Sequence, residues 1–216
     1  EVKEEKINGI NVTVPFKKAV IPYLDKLSPE AEQTQSVNTI ILTDDILVGH
    51  NTDIFGFTKS IKDLNFDIKG KKILILGAGG VVPSLIVALN KMEASEITIS
   101  NRTSKKAEDL KIQFNKINTI SWGEVPDFDM IINATSLGLN NETIDLNITN
   151  ISGGKFFYDV IYNPNETNFL KLGKKLGNQI ENGKLMFVYQ AFEAFRLWHG
   201  VEPNISEKIL KLLDHD

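Results

Sequence analysis

From about residue 71 onward, short unbroken apolar runs alternate with stretches whose apolar residues recur every three or four positions. "KKILILG" (71–77) is a continuous apolar run closed by glycine, which predicts a strand buried on both faces. In "VVPSLIVALNKM" (81–92) Val82, Leu85, Ile86 and Leu89 share one helical face. Pro83 falls in the first turn of that helix, where its missing N–H has no partner to lose. "EITISN" (96–101) predicts a second strand, and "SKKAEDLKIQF" (104–114) a helix capped by Ser104 with a charged outer face. "FDMIINAT" (128–135) and "KFFYDVIY" (155–162) predict two more strands, and "NFLKLGKKLG" (168–177) a further helix. This alternation predicts an α/β fold: a Rossmann-like, doubly wound parallel sheet with helices on both faces.

The pattern changes before residue 57. "INGINVTVPFK" (7–17) predicts a strand with Asn11, Thr13 and Lys17 at alternate positions on one side. "KAVIPYLDKLSPEAEQ" (18–33) reads as helical, and "SVNTIILTDDILVGHNTD" (36–53) as a hairpin turning at Asp44 and Asp45. "GFTKSIKDLNF" (56–66) predicts a helix bridging two domains, and "LMFVYQAFEAFRLW" (185–198) a long apolar helix. The expected partition is a small α/β substrate domain over 1–55, completed by 190–216, and a cofactor domain over 56–189.

Composition narrows the function without naming it. Apolar residues make up 42% and charged residues 24% of 216 residues, an ordinary globular balance. A net charge of −4 gives no electrostatic reason to expect nucleic acid or an anionic membrane as partner. The absence of cysteine excludes disulfides and thiolate chemistry and fits a cytoplasmic setting. No apolar run approaches the roughly 18 residues of a membrane helix. His50, His199 and His215 are poorly placed for proton donation, none in a persuasive pocket pattern, and no metal site is expected.

"ILILGAGGVV" (73–82) has the shape of a dinucleotide-binding turn. Gly77 permits the tight turn; Ala78, Gly79 and Gly80 let backbone approach a pyrophosphate at the helix's positive end. Val82 stands where a third small residue belongs, and a strand-to-helix turn without ligand would carry the same signature. The next strand end discriminates. An NAD site places a carboxylate about 20 residues after the glycines to bond the ribose 2′-hydroxyl. "SNRTSKK" (100–106) offers Asn101, Arg102, Thr103, Lys105 and Lys106 there, and no acid. That charge favours NADP, whose 2′-phosphate a guanidinium can pair bidentately. "NATSLG" (133–138), with Thr135, and "YDVIYNP" (158–164), with Tyr162, lie at the strand ends that face such a cofactor.

A ketone-reducing enzyme also needs a proton donor beside the carbonyl oxygen. Lys17, Asn38 and Asp53 offer one: a lysine beside a carboxylate stays cationic and oriented. At this point the succession "NVTVPFK", "SVNTI", "GHNTDIFGF", "GAGG", "SNRT", "NATSLG", "YDVIYNP", "NGKLMFVYQAFEAFRLWHG" resembles the shikimate dehydrogenase family, in family order from about residue 9 to 203. The resemblance implies reversible, NADP-dependent reduction of 3-dehydroshikimate to shikimate in aromatic amino-acid biosynthesis. It makes Lys17 and Asp53 the catalytic pair, with Lys18 the rival in the doublet. Thr13, Asn38, Tyr162 and Gln190 would contact substrate, Gln190 from the start of the late helix. Gly183 and Met186 would lie against the nicotinamide, and Asn101, Arg102, Thr103 and Lys106 around the 2′-phosphate.

The chain also departs from the family pattern. It opens at Glu1, after the family's serine-bearing segment that holds the substrate carboxylate, so an exposed sheet edge and weak substrate affinity are expected. Pro83 replaces a basic or small residue. The competing readings are a quinate or shikimate relative using NAD or NADP, a non-catalytic NADP-binding protein, and a fragment that binds nothing. The assembly expected is a monomer or homodimer.

Overall fold

The computed structural model describes residues 1–4, 6–146, 148, 151 and 153–213. Its first part is a four-stranded sheet built from β1 (Gly9–Asn11), β2 (Lys26–Leu27), β3 (Thr39–Thr43) and β4 (Ile46–His50), in the order β1-β3-β4-β2. β3 and β4 form the expected hairpin, with Thr43 opposite Ile46. Asp44 and Asp45 have φ of 49° and 62°, the left-handed pair that a two-residue hairpin turn needs. β1 pairs antiparallel with β3, and β2 runs parallel to β4. Ala31, Val37 and Ile40 fill the space under this sheet with Val12, Leu24, Leu27 and Leu47.

The single helix expected over 18–33 does not form. Pro22 opens one 3-10 turn (Ile21–Tyr23), after which Leu24 is extended and β2 pairs with β4. Prolines have no N–H to carry a helix through residue 22 or 29. The chain turns helical again at α1 (Pro29–Thr34), where Ser28 Oγ accepts from the Ala31 amide at 3.2 Å and Pro29 takes the first position.

α2 (Asp53–Asp63) starts three residues before the stretch expected from pattern, because Asp53 occupies its first position. Then follow β5 (Lys72–Leu76), α3 (Val82–Lys91), β6 (Glu96–Ser100), α4 (Ser104–Gln113), β7 (Asn118–Ile120), β8 (Met130–Asn133), β9 (Phe156–Asp159), α5 (Asn168–Lys175) and β10 (Gln179–Glu181). The six strands lie in the order β10-β9-β8-β5-β6-β7, every neighbouring pair parallel. Counted in chain order, that is the doubly wound 3-2-1-4-5-6 arrangement, and the order reverses between β5 and β8. Ile73 and Ile75 face α2 and α3, while Leu74 and Leu76 face Phe169 and Leu170 of α5. The continuous apolar run is therefore split between two cores, as a strand covered on both faces requires.

Four details differ from the pattern-based expectation. Of the strand expected over 7–17 only Gly9–Asn11 pairs, and the chain turns from Val14 on, Phe16 N donating to Thr13 O at 2.8 Å, because Pro15 has no N–H to carry a ladder. Ser104 is the first helical residue rather than the cap; Thr103 precedes it and makes no side-chain cap bond. β8 and β9 are four residues each, shorter than the runs that predicted them, because their apolar positions continue into loops. β2, β7 and β10, of two or three residues, had no apolar pattern to announce them.

α6 (Lys184–His199) packs along α2 and joins the two sheets. A Cβ at Gly56 would stand 2.6 Å from the Met186 carbonyl oxygen, so glycine is what lets these helices approach. From the far end of α6, Trp198 Nε1 donates to Ile40 O at 3.1 Å. α7 (Glu207–Lys211) ends the described fold. No helix among the described residues is long and apolar enough to cross a membrane.

Candidate active site

The backbone after β1 brings Lys17 to the mouth of β3, where its carbonyl accepts from the Val37 amide at 2.9 Å. Lys17 Nζ then lies 2.6 Å from Asp53 Oδ2, with the two side chains 15% and 8% exposed. The other carboxylate oxygen, Oδ1, accepts from Asn38 Nδ2 at 2.9 Å. Asn38 is held in turn by the Thr52 amide, which donates to its Oδ1 at 2.8 Å. Asp53 also stands on the first turn of an 11-residue helix, whose dipole favours a negative charge there. Each Asp53 oxygen thus accepts from one protein donor and keeps a lone pair, while the Lys17 ammonium keeps donors for another acceptor.

This pair opens onto a cavity of about 510 Å³. Thr13, Asn38, Tyr162, Gly183, Met186 and Gln190 line it together with Lys17 and Asp53. The structure brings these eight sequence-selected residues to one cleft, between the four-stranded sheet, the turn after β5 (Val81), the loop after β9 (Val160, Tyr162) and α6. Gln190 sits in the middle of α6 rather than at its start, with Oε1 3.5 Å from Asn38 Nδ2. Asn38 Nδ2 also donates to Thr52 Oγ1 at 2.9 Å, so its amide bridges Thr52 and Asp53 at the cleft wall. A Cβ at Gly183 would meet the Val160 carbonyl oxygen at 2.1 Å, so the start of α6 lies against the loop after β9. Val160 and Phe187 line the cleft too and were not singled out by sequence. Phe187 stacks on Tyr162 with ring centroids 4.6 Å apart, a contact between distant segments that neither periodicity nor spacing reveals.

A second cavity, of about 310 Å³, lies at the glycine turn. Gly79, Gly80, Lys106 and Gln113 form one wall, and Val14, Lys18, Gln35 and Ser36 the other. Lys17 and Lys18 both line this cavity, but only Lys17 also lines the cleft with Asp53. The turn divides its glycines by task. Gly77 has φ of 107° and its Cβ would stand 2.8 Å from Ala134 O, so the fold itself demands glycine. A Cβ on Gly79 or Gly80 would find its nearest neighbour at 3.7 or 3.9 Å, leaving open space above the backbone that leads into α3. Open backbone at a helix N-terminus, with Lys106 beside it, fits the phosphates of a dinucleotide. Val82 is fully buried at the start of α3, where it packs into the sheet face.

Asn101, Arg102 and Thr103 follow β6 just outside this cavity; Asn101 Nδ2 donates to Thr103 O at 2.8 Å, and Arg102 is exposed. No carboxylate stands among them. Thr135 lies under the turn, its Cγ2 3.0 Å from where a Gly77 Cβ would be. Its hydroxyl is engaged within its own loop, donating to Asn133 Oδ1 at 2.7 Å and accepting from the Leu137 amide at 3.0 Å.

The histidines stand apart from the lysine. His50 lines a separate cavity with Glu30 and Glu193, and burial pushes its imidazole below the ordinary range. His199 packs on Phe195 at 4.3 Å between centroids, and His215 lies outside the described residues.

Comparison with known proteins agrees along the chain. The family model for the shikimate dehydrogenase substrate binding domain matches residues 1–40, that for shikimate / quinate 5-dehydrogenase matches 59–140, and that for the shikimate 5′-dehydrogenase C-terminal domain matches 185–207. The shikimate dehydrogenase (NADP(+)) of Pelagibacter ubique is 56% identical over 214 residues, 99% of this chain and 81% of that protein. A solved shikimate 5-dehydrogenase from Thermus thermophilus, in complex with NADP(H) and shikimate, has a TM-score of 0.83 at 30% identity, over 99% of this chain and 81% of that one. The Listeria monocytogenes shikimate 5-dehydrogenase, in complex with shikimate and NAD, has a TM-score of 0.88 at 30% identity, over 98% of this chain and 79% of that one.

Proposed function

The chain belongs to the shikimate dehydrogenase family, and on that premise we propose that it interconverts shikimate and 3-dehydroshikimate with NADP. The observation that carries this reading is the Lys17–Asp53 pair at 2.6 Å, opening into a cleft shared with Tyr162, Met186 and Gln190 beside a glycine turn. The four-stranded sheet and the later part of α6 (1–55 and 190–216) serve the substrate, and 56–189 the cofactor.

NADPH, when bound, supplies a hydride to the ketone carbon. Lys17 hydrogen-bonds the ketone oxygen, strengthens that bond as negative charge grows there, and passes a proton from Nζ. In the oxidative direction the same contact receives the hydroxyl proton. Asp53 keeps the ammonium aimed and offers its remaining lone pairs to a substrate hydroxyl. Asn38 fixes the Asp53 carboxylate, and Thr13 and Gln190 bond the ring hydroxyls. Tyr162, Gly183 and Met186 form the wall against which ring and substrate are held. Arg102 and Lys106, with Asn101 and Thr103, take the 2′-phosphate; a carboxylate at this strand end would repel it.

Initial rates of NADP+ reduction with shikimate, with quinate and with neither acid test this directly. Shikimate-dependent reduction is expected. A preference for quinate would redirect the substrate assignment. No reduction with either, while NADP+ still raises the Tm, would favour the non-catalytic reading.

A further inference from the structure

Asn133 and Asp159 end adjacent parallel strands and stand opposite each other in the β8–β9 register. Both are fully buried, as is Thr167. Asp159 Oδ1 accepts from Asn133 Nδ2 at 3.0 Å and from the Ile161 amide at 2.9 Å, and Oδ2 accepts from Thr167 Oγ1 at 2.6 Å. Asn133 completes the network by accepting from the Thr135 amide at 3.0 Å and donating to Leu137 O at 3.1 Å. Among the described residues none of these Asp159 partners, Asn133, Ile161 and Thr167, is a cation, and burial pushes its carboxyl up to about 6.

A buried carboxylate without a counter-charge is costly, and packing alone would be better served by an apolar side chain. What the carboxylate holds accounts for its presence. The loop after β9 carries Val160 and Tyr162 to the cleft, and it leaves the sheet through the Ile161 amide bonded to Asp159. The same loop receives α6, because Gly183 N donates to Ile161 O at 3.0 Å. The loop after β8 is fixed through Asn133. Asp159 itself does not line the cleft cavity.

We propose that Asp159 is a positioning residue for the transfer step, anchoring the Val160–Tyr162 loop and, through it, the Gly183 start of α6. The proposal rests on the dehydrogenase reading for the reaction but not for the anchoring. Asp159→Asn keeps the shape but brings an N–H pair among groups that are donors. Thr167→Val removes one anchor, and Thr167→Ser keeps its hydroxyl.

The experiment measures hydrogen–deuterium exchange over 160–167, Tm, and steady-state constants for the unaltered chain and the three variants. Asp159→Asn and Thr167→Val are expected to fold and to exchange faster in this segment. Their kcat should fall about 10- to 100-fold, the scale of a 1 Å misplacement, with KM for NADP+ within about threefold. Thr167→Ser should restore both exchange and kcat. Folded variants with unchanged kcat, unchanged exchange, or a loss confined to KM for NADP+ would overturn the proposal while an active unaltered chain left the functional reading intact. An unaltered chain silent with shikimate would overturn that reading and the transfer role with it.

Discussion

Lys17 Nζ and Asp53 Oδ2 meet at 2.6 Å across 36 positions of sequence, joining the turn after β1 to the first residue of α2. Loss of the ammonium in Lys17→Ala should lower kcat by about 10²- to 10⁴-fold, the usual range for a positioned proton donor, and change KM for shikimate far less. Asp53→Asn should impair both constants, because it frees the lysine and removes an acceptor. Steady-state kinetics with shikimate and NADP+ check this; a Lys17→Ala enzyme with native kcat would remove Lys17 from the mechanism.

The exposed cations after β6 should govern choice of cofactor and not of substrate. Arg102→Ala is expected to raise KM for NADP+ about tenfold, in keeping with one charge-assisted hydrogen bond of roughly 1.5–3 kcal/mol weakened by exposure. KM for NAD+, which has no 2′-phosphate, should hardly move. Equal changes for both cofactors would show that Arg102 does not read the phosphate.

The glycine turn makes a sharper separation. Gly77→Ala forces a Cβ to 2.8 Å from Ala134 O at φ of 107° and should destabilise the fold by more than about 1 kcal/mol. Gly79→Ala meets its nearest neighbour at 3.7 Å, so the fold should keep its Tm while NADP+ affinity drops. Thermal unfolding with and without NADP+ distinguishes them. A Gly79→Ala chain that binds normally would mean that the phosphates lie elsewhere.

The same turn shows what the sequence could and could not reveal. Continuous apolar runs announced β5, β8 and β9, because a strand covered on both faces has no polar side to obscure the signal. β7 and β10 are three-residue strands at the sheet edges, too short for any period. The stretch 18–33 misled because its apolar spacing suits a helix that Pro22 and Pro29 interrupt. Lys17, Asn38 and Asp53 were legible as residue types, but the saturation of Asn38 by Thr52 and Asp53 is a tertiary fact. In the sequence Asp159 is no more than part of a strand. Its role arises from Thr167 and Asn133, which lie 8 and 26 positions away.

Asp159 also predicts a pH dependence with a definite sign. Burial raises its carboxyl from 3.8 to about 6, so the folded chain holds this proton more tightly than the unfolded chain does. By linkage, its contribution favours folding most at acid pH, falls as pH rises from about 4 to about 6, and is flat above that. A carboxyl displaced that far changes stability by about 3 kcal/mol across the whole window, as an order of magnitude. Tyr158 beside it is pushed far upward by burial and stays neutral throughout. Glu142, held down to about 2 by backbone amides, acts in the opposite sense at lower pH, so the test is a difference. Stability of the unaltered chain minus that of Asp159→Asn should decline from about pH 4 to about pH 6 and then level. A difference that rose over this range would mean that the anchoring bonds outweigh burial and hold the carboxyl below its ordinary value. If it declines, the site retains a charge that weakens the fold at neutral pH, as expected of a group kept for what it positions and not for what it stabilises.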